Sequence, residues 1–249
     1  MTMNRSLSVR LLEGERLLGT SVTLPSPEVA ELLAACGYDW LFIDLEHGSA
    51  DMLTAQRMLQ AARCPCLIRV ADASPATLQR ALDIGADGVI IPGLNSAARV
   101  ELAVAACRYP PLGTRSVGAG RAQGYGHNLR GYVHEANLDV LVIPQIDHID
   151  AVKDIEAISA VPGVSALFVD PLDLAASLGR PGLSDGNEVS AAIHRVHQVC
   201  AEAERRIGIH ATDADNAARW FEAGYSLVAV ASDAVMLGQR AREQVQLLK

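Results

Sequence analysis

Eight times along the chain a short apolar run of strand length is followed by a longer stretch whose apolar residues recur at helical spacing, and this alternation restricts the fold more than any other feature. The predicted strands cover 17–22, 41–44, 67–70, 89–91, 140–146, 166–169, 207–210 and 227–231. The predicted helices cover 28–36, 51–63, 75–84, 96–108, 149–160, 188–205, 213–223 and a last stretch to about 248, with a further helix over 4–13 at the start. Pro25-Ser26-Pro27 opens the first of the interleaved helices and Gly37 stands past its end. Only the segment 109–137 breaks the rhythm. It holds Pro110, Pro111 and a glycine series (Gly113, Gly118, Gly120, Gly124, Gly126, Gly131), so a long loop with at most one short helical piece is expected there.

A helix after each strand carries the chain back to the start of the next, which makes the sheet parallel. Eight such units predict a (β/α)8 TIM barrel formed by a single domain over 1–249. The alternative is an open doubly wound sheet, but that fold expects a glycine-rich phosphate turn after its first strand, where this chain has Leu24-Pro25-Ser26-Pro27. With 249 residues, half of them hydrophobic, one core is affordable. The apolar runs stop well short of the roughly 20 residues a membrane span needs. No basic, apolar and small-residue leader pattern is visible, so a soluble cytoplasmic protein is expected. A net charge of −8 argues against nucleic acid as a partner. The five cysteines are scattered, and Cys64-Pro65-Cys66 lacks the second pair that a tetrahedral metal site requires.

In a barrel of this type the active site lies at the C-terminal ends of the strands, so the residues there are the candidates. The second strand runs through Trp40-Leu41-Phe42-Ile43 into Asp44, Glu46 and His47. Other strand ends carry Arg69, Gln145 with Asp147, Asp170 with Asp173, and His210. Arg69 is placed to hold a carboxylate or a developing enolate oxygen, or else to pair with a rim carboxylate. His47 is the candidate general base, with Asp44 placed to orient its imidazole. Asp147 and Asp173, one βα unit apart and near Gln145, suit a hard divalent cation; either could instead cap the helix that follows it. His127 and His134 are expected in solvent. His194 and His197 lie three apart on a predicted helix without a third ligand and read as surface residues.

These motifs together resemble the HpcH/HpaI family of metal-dependent class II pyruvate and 2-keto-3-deoxy acid aldolases. The resemblance rests on Tyr38-Asp39-Trp40-Leu41-Phe42-Ile43-Asp44 with Glu46-His47, on Arg69, on Leu82-Asp83-Ile84-Gly85-Ala86, and on 109–118. It continues in Gln145-Ile146-Asp147 and in Pro171-Leu172-Asp173-Leu174-Ala175-Ala176-Ser177-Leu178-Gly179. It implies a C–C lyase that cleaves or forms 4-hydroxy-2-keto acids, giving pyruvate and an aldehyde. His47 with Asp44 would be the base, Arg69 would hold pyruvate and its enolate, and Asp147 and Asp173 would bind Mg²⁺, Mn²⁺ or Co²⁺. Asp83 would reach toward a neighbouring subunit's site. Gln145, Pro171 and Leu172 would line the substrate position, and the glycine-rich loop with Arg115 would close over it. The resemblance also implies a homo-oligomer built from dimers that exchange the last helix, commonly a hexamer.

The only lysines are Lys153 and Lys249, neither at a strand end, which argues against a Schiff-base aldolase. Two positions depart from the family. Asp147 stands where Glu is usual, and Asp170 where Gly is usual beside the N–H groups that receive the substrate carboxylate. Asp170 would then either join the metal shell in compensation, or mark a changed substrate or lost activity. The alternatives in function are an acyl-CoA C–C lyase of the citrate-lyase branch and a non-catalytic oligomeric binding protein.

Overall fold

In the computed structural model, which describes residues 5–249, eight strands pair in parallel and in chain order, the last closing on the first. They are β1 (Leu17–Val22), β2 (Trp40–Asp44), β3 (Cys66–Arg69), β4 (Gly88–Ile91), β5 (Leu141–Ile146), β6 (Leu167–Val169), β7 (Ile207–Ala211) and β8 (Leu227–Ser232). The helices are α1 (Leu7–Leu12), α2 (Pro27–Ala35), α3 (Met52–Ala61), α4 (Pro75–Asp83), α5 (Ala97–Cys107), α6 (Leu129–Asp139), α7 (Ile149–Lys153), α8 (Ile155–Ala160), α9 (Pro171–Ser177), α10 (Asn187–Glu202), α11 (Ala214–Glu222) and α12 (Asp233–Gln246). The barrel expected from the alternation is therefore the fold observed. Among the described residues no helix is long and apolar enough to cross a membrane.

Successive side chains of a strand point to opposite faces, and this sorts the core into two clusters. Leu41, Ile43, Ile68, Val89, Ile91, Val142, Leu167, Val169 and Ile209 face outward and pack under the helices. Leu17, Trp40, Phe42, Leu67, Ile90, Ile143, Phe168 and Leu227 face inward and fill the barrel, with Leu7 and Leu11 of α1 plugging its lower end. Trp40 is the largest of these. Its indole N–H donates to the Leu17 carbonyl at 3.1 Å, and Phe168 meets it edge-on at 6.3 Å. Gly19 faces the same ring, and a Cβ there would stand 2.4 Å from its Cε2, so the interior has room for Trp40 only because residue 19 has no side chain.

The same alternation aims the next residue of several strands into the upper mouth. Asp44 follows Trp40 and Phe42, Arg69 follows Leu67, Gln145 follows Ile143, Asp170 follows Phe168 and His210 follows Gly208. Strand register then sets Asp44 directly beside Arg69.

The segment 109–137 differs from expectation. It contains a 3-10 turn at Gly124–Gly126 and then the eleven-residue α6. Tyr132, Val133 and Ala136 give α6 an apolar face against the core, a spacing that Gly131 and the polar neighbours obscure. The helix expected over 149–160 is two, parted at Asp154, whose carboxylate accepts from the Ala97 N–H at 2.8 Å.

The position of this glycine-rich segment corrects a second expectation. Helices run back against the strands, so α4 ends at Asp83 beside the strands' N-terminal ends, and α5 delivers residues 108–128 to that same lower end. There Arg115, 1% exposed, pairs with Asp83 at 2.7 Å and lies over the Tyr109 ring at 4.6 Å. Gln123 donates to both Asp83 and the Tyr109 hydroxyl at 3.0 Å, and Ala122 N–H donates to the Asp83 carbonyl. Within one chain, then, the loop does not close over the mouth. Arg115 and Asp83 are far from their own strand C-terminal ends.

Candidate active site

Arg69 organises the mouth. It is 7% exposed and uses every nitrogen of its guanidinium. Nε and Nη2 donate to the two oxygens of Asp44 at 3.0 and 2.7 Å, while Nη1 donates to Asp170 Oδ2 at 3.1 Å and Gln145 Oε1 at 3.4 Å. Its Cζ lies 5.1 Å from the centre of the Phe42 ring, so one face of the cation rests on the barrel's apolar filling. Burial alone would lower the Arg69 pKa, but Asp44, Asp170 and Glu46 outweigh it and hold the cation charged. Burial likewise works to raise the Asp44 carboxyl, and the hydrogen bonds and charge of Arg69 reverse it, leaving Asp44 below the ordinary carboxylate range. The pair is thus a fixed ionic floor.

Asp44 has a further task. Its Oδ1 accepts from the backbone N–H groups of Glu46 and His47 at 3.0 and 3.2 Å, which folds the turn after β2 over the mouth. The expectation that Asp44 orients the imidazole is corrected here: it holds the backbone of His47, and the ring projects freely, with 61% of the side chain exposed. His47 Nε2 stands 3.9 Å from Glu46 Oε2 and 4.0 Å from Asp173 Oδ2. Glu46, His47 and Asp173 can each offer one ligand atom, all within 4.8 Å of one another.

Asp147 is held apart from that trio. Its Oδ2 accepts from the Gly93 N–H at 2.8 Å and from Gln145 Nε2 at 3.3 Å. The sequence pairs Asp147 with Asp173, whereas the structure gathers Glu46 and His47 around Asp173. Both helix-capping readings also fail. His148 caps α7 with its Nδ1, and Asp170 caps α9, accepting from the N–H groups of Leu172 and Asp173 at 3.0 and 3.4 Å. Pro171 and Leu172 form the rim of β6 just beyond, Leu172 being exposed.

The carboxylates outnumber the cations. Burial raises the pKa of Glu46, helped by repulsion from Asp173 and Asp147 and opposed by Arg69 and His47. Burial also raises Asp173, with Asp170 adding to it, and raises Asp147 against the Gly93 and Gln145 hydrogen bonds. Glu46 Oε2 is buried without a hydrogen-bond partner: it lies 3.3 Å from Arg69 Nε, but that nitrogen gives its one hydrogen to Asp44. An orphaned carboxylate oxygen amid unneutralised acids and an imidazole is a donor set that suits a divalent cation.

Glu46 is the residue of this group that the sequence argument names without assigning it a ligand's role. Its signal was its place between Asp44 and His47. His210 is the other addition: it meets the Phe42 ring edge-on at 6.5 Å, and burial lowers its pKa.

The model of the HpcH/HpaI aldolase/citrate lyase family matches residues 19–239. A hydroxypyruvate/pyruvate aldolase of Paraburkholderia phytofirmans is 38% identical to this chain, with 98% of each chain covered. A 2-dehydro-3,6-dideoxy-6-sulfogluconate aldolase of Pseudomonas putida is 37% identical, covering 93% of this chain and 92% of its own length. Among solved structures, a family protein from Burkholderia cenocepacia superposes with a TM-score of 0.93 at 37% identity, over 97% of this chain and 98% of that one. With the family model spanning most of the barrel and these relatives matching end to end, the chain belongs to the HpcH/HpaI aldolase/citrate lyase family.

Proposed function

We propose that this enzyme, a lyase by its family, is a class II pyruvate aldolase that cleaves or forms 4-hydroxy-2-keto acids and uses Mg²⁺, Mn²⁺ or Co²⁺. The observation that carries the reading is the buried Arg69 on its Asp44 floor, facing the Glu46, His47 and Asp173 group across one mouth. Glu46 and Asp173 would hold the cation, with the Asp147 carboxylate, tied to Gly93 and Gln145, contributing its charge from outside that group, and the unpartnered Glu46 Oε2 supports that assignment. A cation there supplies Lewis acidity toward the keto acid's oxygens.

The chain's own residues supply the rest. Arg69 is fixed before substrate arrives, so its positive charge needs no reorganisation as negative charge develops on the enolate oxygen. The exposed imidazole of His47 takes the C4 hydroxyl proton while the C3–C4 bond breaks to an aldehyde and pyruvate enolate, and the enolate is then protonated at C3. Gln145, fully buried between Arg69 and Asp147, keeps those two groups in register. Phe42 and the aromatic filling beneath exclude water from below. Neither lysine stands at a strand end to form a Schiff base: Lys153 lies on α7 paired with Asp150, and Lys249 lies past the end of α12.

Exchange of the pyruvate methyl protons in D₂O tests the reading without knowledge of the aldehyde. The expected result is exchange with Mn²⁺ or Mg²⁺, its loss on adding EDTA, and a fall of about 100-fold or more in Arg69→Lys, which keeps the charge but not the fork. Failure to exchange with any divalent metal, in a protein shown to be folded, would overturn the proposal.

A further inference from the structure

Cys64-Pro65-Cys66 takes no part in the candidate active site. It lies where the chain enters β3, and Arg69 ends the same strand at the mouth. Residues two apart along a strand share a face, and both cysteines join the outward-facing core cluster, Cys66 buried within it and Cys64 only partly covered. Cys66 Sγ donates to the Cys64 carbonyl at 3.4 Å, so the deeper thiol lies back against the residue before Pro65. Neighbouring strands hold the backbone between them. The Pro65 carbonyl accepts from the Leu41 N–H at 2.9 Å, and Cys66 exchanges hydrogen bonds with Asp87, its N–H donating to Oδ2 at 2.8 Å and its carbonyl accepting from the Asp87 N–H at 3.0 Å. The two sulfurs are therefore kept as neighbours by a fixed frame.

The two thiols are unequal. A hydrogen bond with Cys66 brings the Cys64 thiol below its ordinary pKa, against burial and the charges of Asp87 and Asp39, which work to raise it. Cys66 is pushed well above the ordinary value, first by that same hydrogen bond and then by burial and the Cys64 charge. The other cysteines lack this arrangement. Cys107 and Cys200 are buried, and burial pushes each up to about 12, while Cys36 is exposed with no other cysteine near it in sequence. The thiolate is the nucleophilic form of cysteine, so Cys64 is both reachable and activated, with a second thiol against it. Two residues of strand rise about 6.6 Å, which falls within the Cα separation of about 4.4–6.8 Å that a disulfide bridges.

We propose that Cys64 and Cys66 are a reversible oxidation site: a hydroperoxide, whether hydrogen peroxide or an organic one, converts the two thiols to a disulfide. The Cys64 thiolate attacks a peroxide oxygen, the O–O bond breaks, and the leaving oxygen takes a proton from solvent and departs as water or an alcohol. Cys64 is then a sulfenic acid. It no longer carries the charge that opposed ionisation of Cys66, whose sulfur attacks it. The S–S bond forms, the S–O bond breaks, and the departing hydroxide takes the Cys66 proton and leaves as water. In total two thiols and one hydroperoxide give a disulfide, water and a second water or an alcohol. With the backbone pinned by β2 and β4 and the Cα separation near its upper limit, this disulfide is of the strained kind that an external thiol readily reduces.

The test treats the reduced full-length protein with hydrogen peroxide, blocks the remaining thiols by alkylation and digests with trypsin. Cleavage after Arg63 and Arg69 leaves both sulfurs in one peptide, 64–69, where a disulfide shows as the loss of two hydrogens. The expected result is that this peptide oxidises about tenfold or more faster than the exposed Cys36, and that dithiothreitol restores it. Cys66→Ala should leave Cys64 as a sulfenic acid that dimedone traps, and should form it more slowly, because the hydrogen bond that activates Cys64 is gone. Oxidation of Cys36 ahead of the peptide would overturn the site. So would a wild-type Cys64 that passes to the sulfinic acid without a disulfide. The wild-type mass measurement needs no variant, so the proposal stays open to refutation even where Cys66→Ala does not fold.

Discussion

Asp170 shows how much one carboxylate can decide. Its Oδ1 caps α9 and its Oδ2 occupies Arg69 Nη1, so its side chain engages the cation that a keto-acid carboxylate would seek. The group of Glu46, His47 and Asp173 forms without it, which weighs against compensation for the short Asp147 and in favour of competition with substrate. Asn at this position keeps a good N-cap while removing the charge. Asp170→Asn is therefore expected to lower the KM for pyruvate about three- to tenfold and to leave Mn²⁺ affinity, followed by calorimetry, unchanged. A large loss of Mn²⁺ affinity would reinstate Asp170 as part of the metal shell. Truncation of Arg69 is a harsher change. Its removal would strand Asp44, 1% exposed, as a buried unpaired charge, at a cost of about 3–5 kcal/mol in stability.

At the level of strands and helices, the period-two pattern carries both the fold and the centre of the site. Trp40 and Phe42 face inward, so Asp44 must as well, and the same parity places Arg69, Gln145 and Asp170. These positions were legible in the sequence because strand geometry leaves only two directions for a side chain. Legibility ended where the strands end. Whether Asp173 meets Asp147 or Glu46 depends on turns whose path is set by the hydrogen bonds of Asp44 and Asp170, and no periodicity reports those. The glycines of 109–128 suggest a lid, whereas the direction of α4 and α5 carries this loop to the lower end of its own barrel with Arg115 and Asp83. Inside the barrel the parity has a steric counterpart. Gly19→Ala puts a Cβ into Trp40, and an overpacked interior costs about 1–3 kcal/mol. Urea unfolding should show that loss, and Trp40→Phe in the same chain should recover part of it. An unchanged midpoint in Gly19→Ala would mean that the Trp40 ring shifts freely, contrary to its hydrogen bond to Leu17.

The whole molecule leaves one element without cover. Asp233 anchors the start of α12, accepting from Thr23 N–H and Oγ1 at 2.9 and 2.8 Å and from Leu24 N–H at 2.9 Å, and it is the only buried residue of that helix. Beyond it, Val235, Leu237 and Val245 are 45%, 64% and 50% exposed, and Leu247 and Leu248 follow at 77% and 89%. Elsewhere in the barrel the helices between strands lay an apolar face on the sheet, whereas past its first turn α12 brings only Met236 against the core and leaves these other apolar side chains uncovered. Each such side chain is worth about 1.5–3 kcal/mol when fully buried, and several together are enough to drive association. This fits the exchange of the last helix between subunits that the family resemblance implies, and in such an oligomer hydrophobic burial would be the driving force. Light scattering coupled to gel filtration should therefore give at least a dimer at micromolar concentration. Leu237→Glu with Val245→Glu should lower the mass and the thermal midpoint together, because charges would have to enter the buried interface. If α12 were free in solution, the same exposed substitutions would leave both unchanged, and a monomeric wild-type protein would remove the exchanged helix from the account.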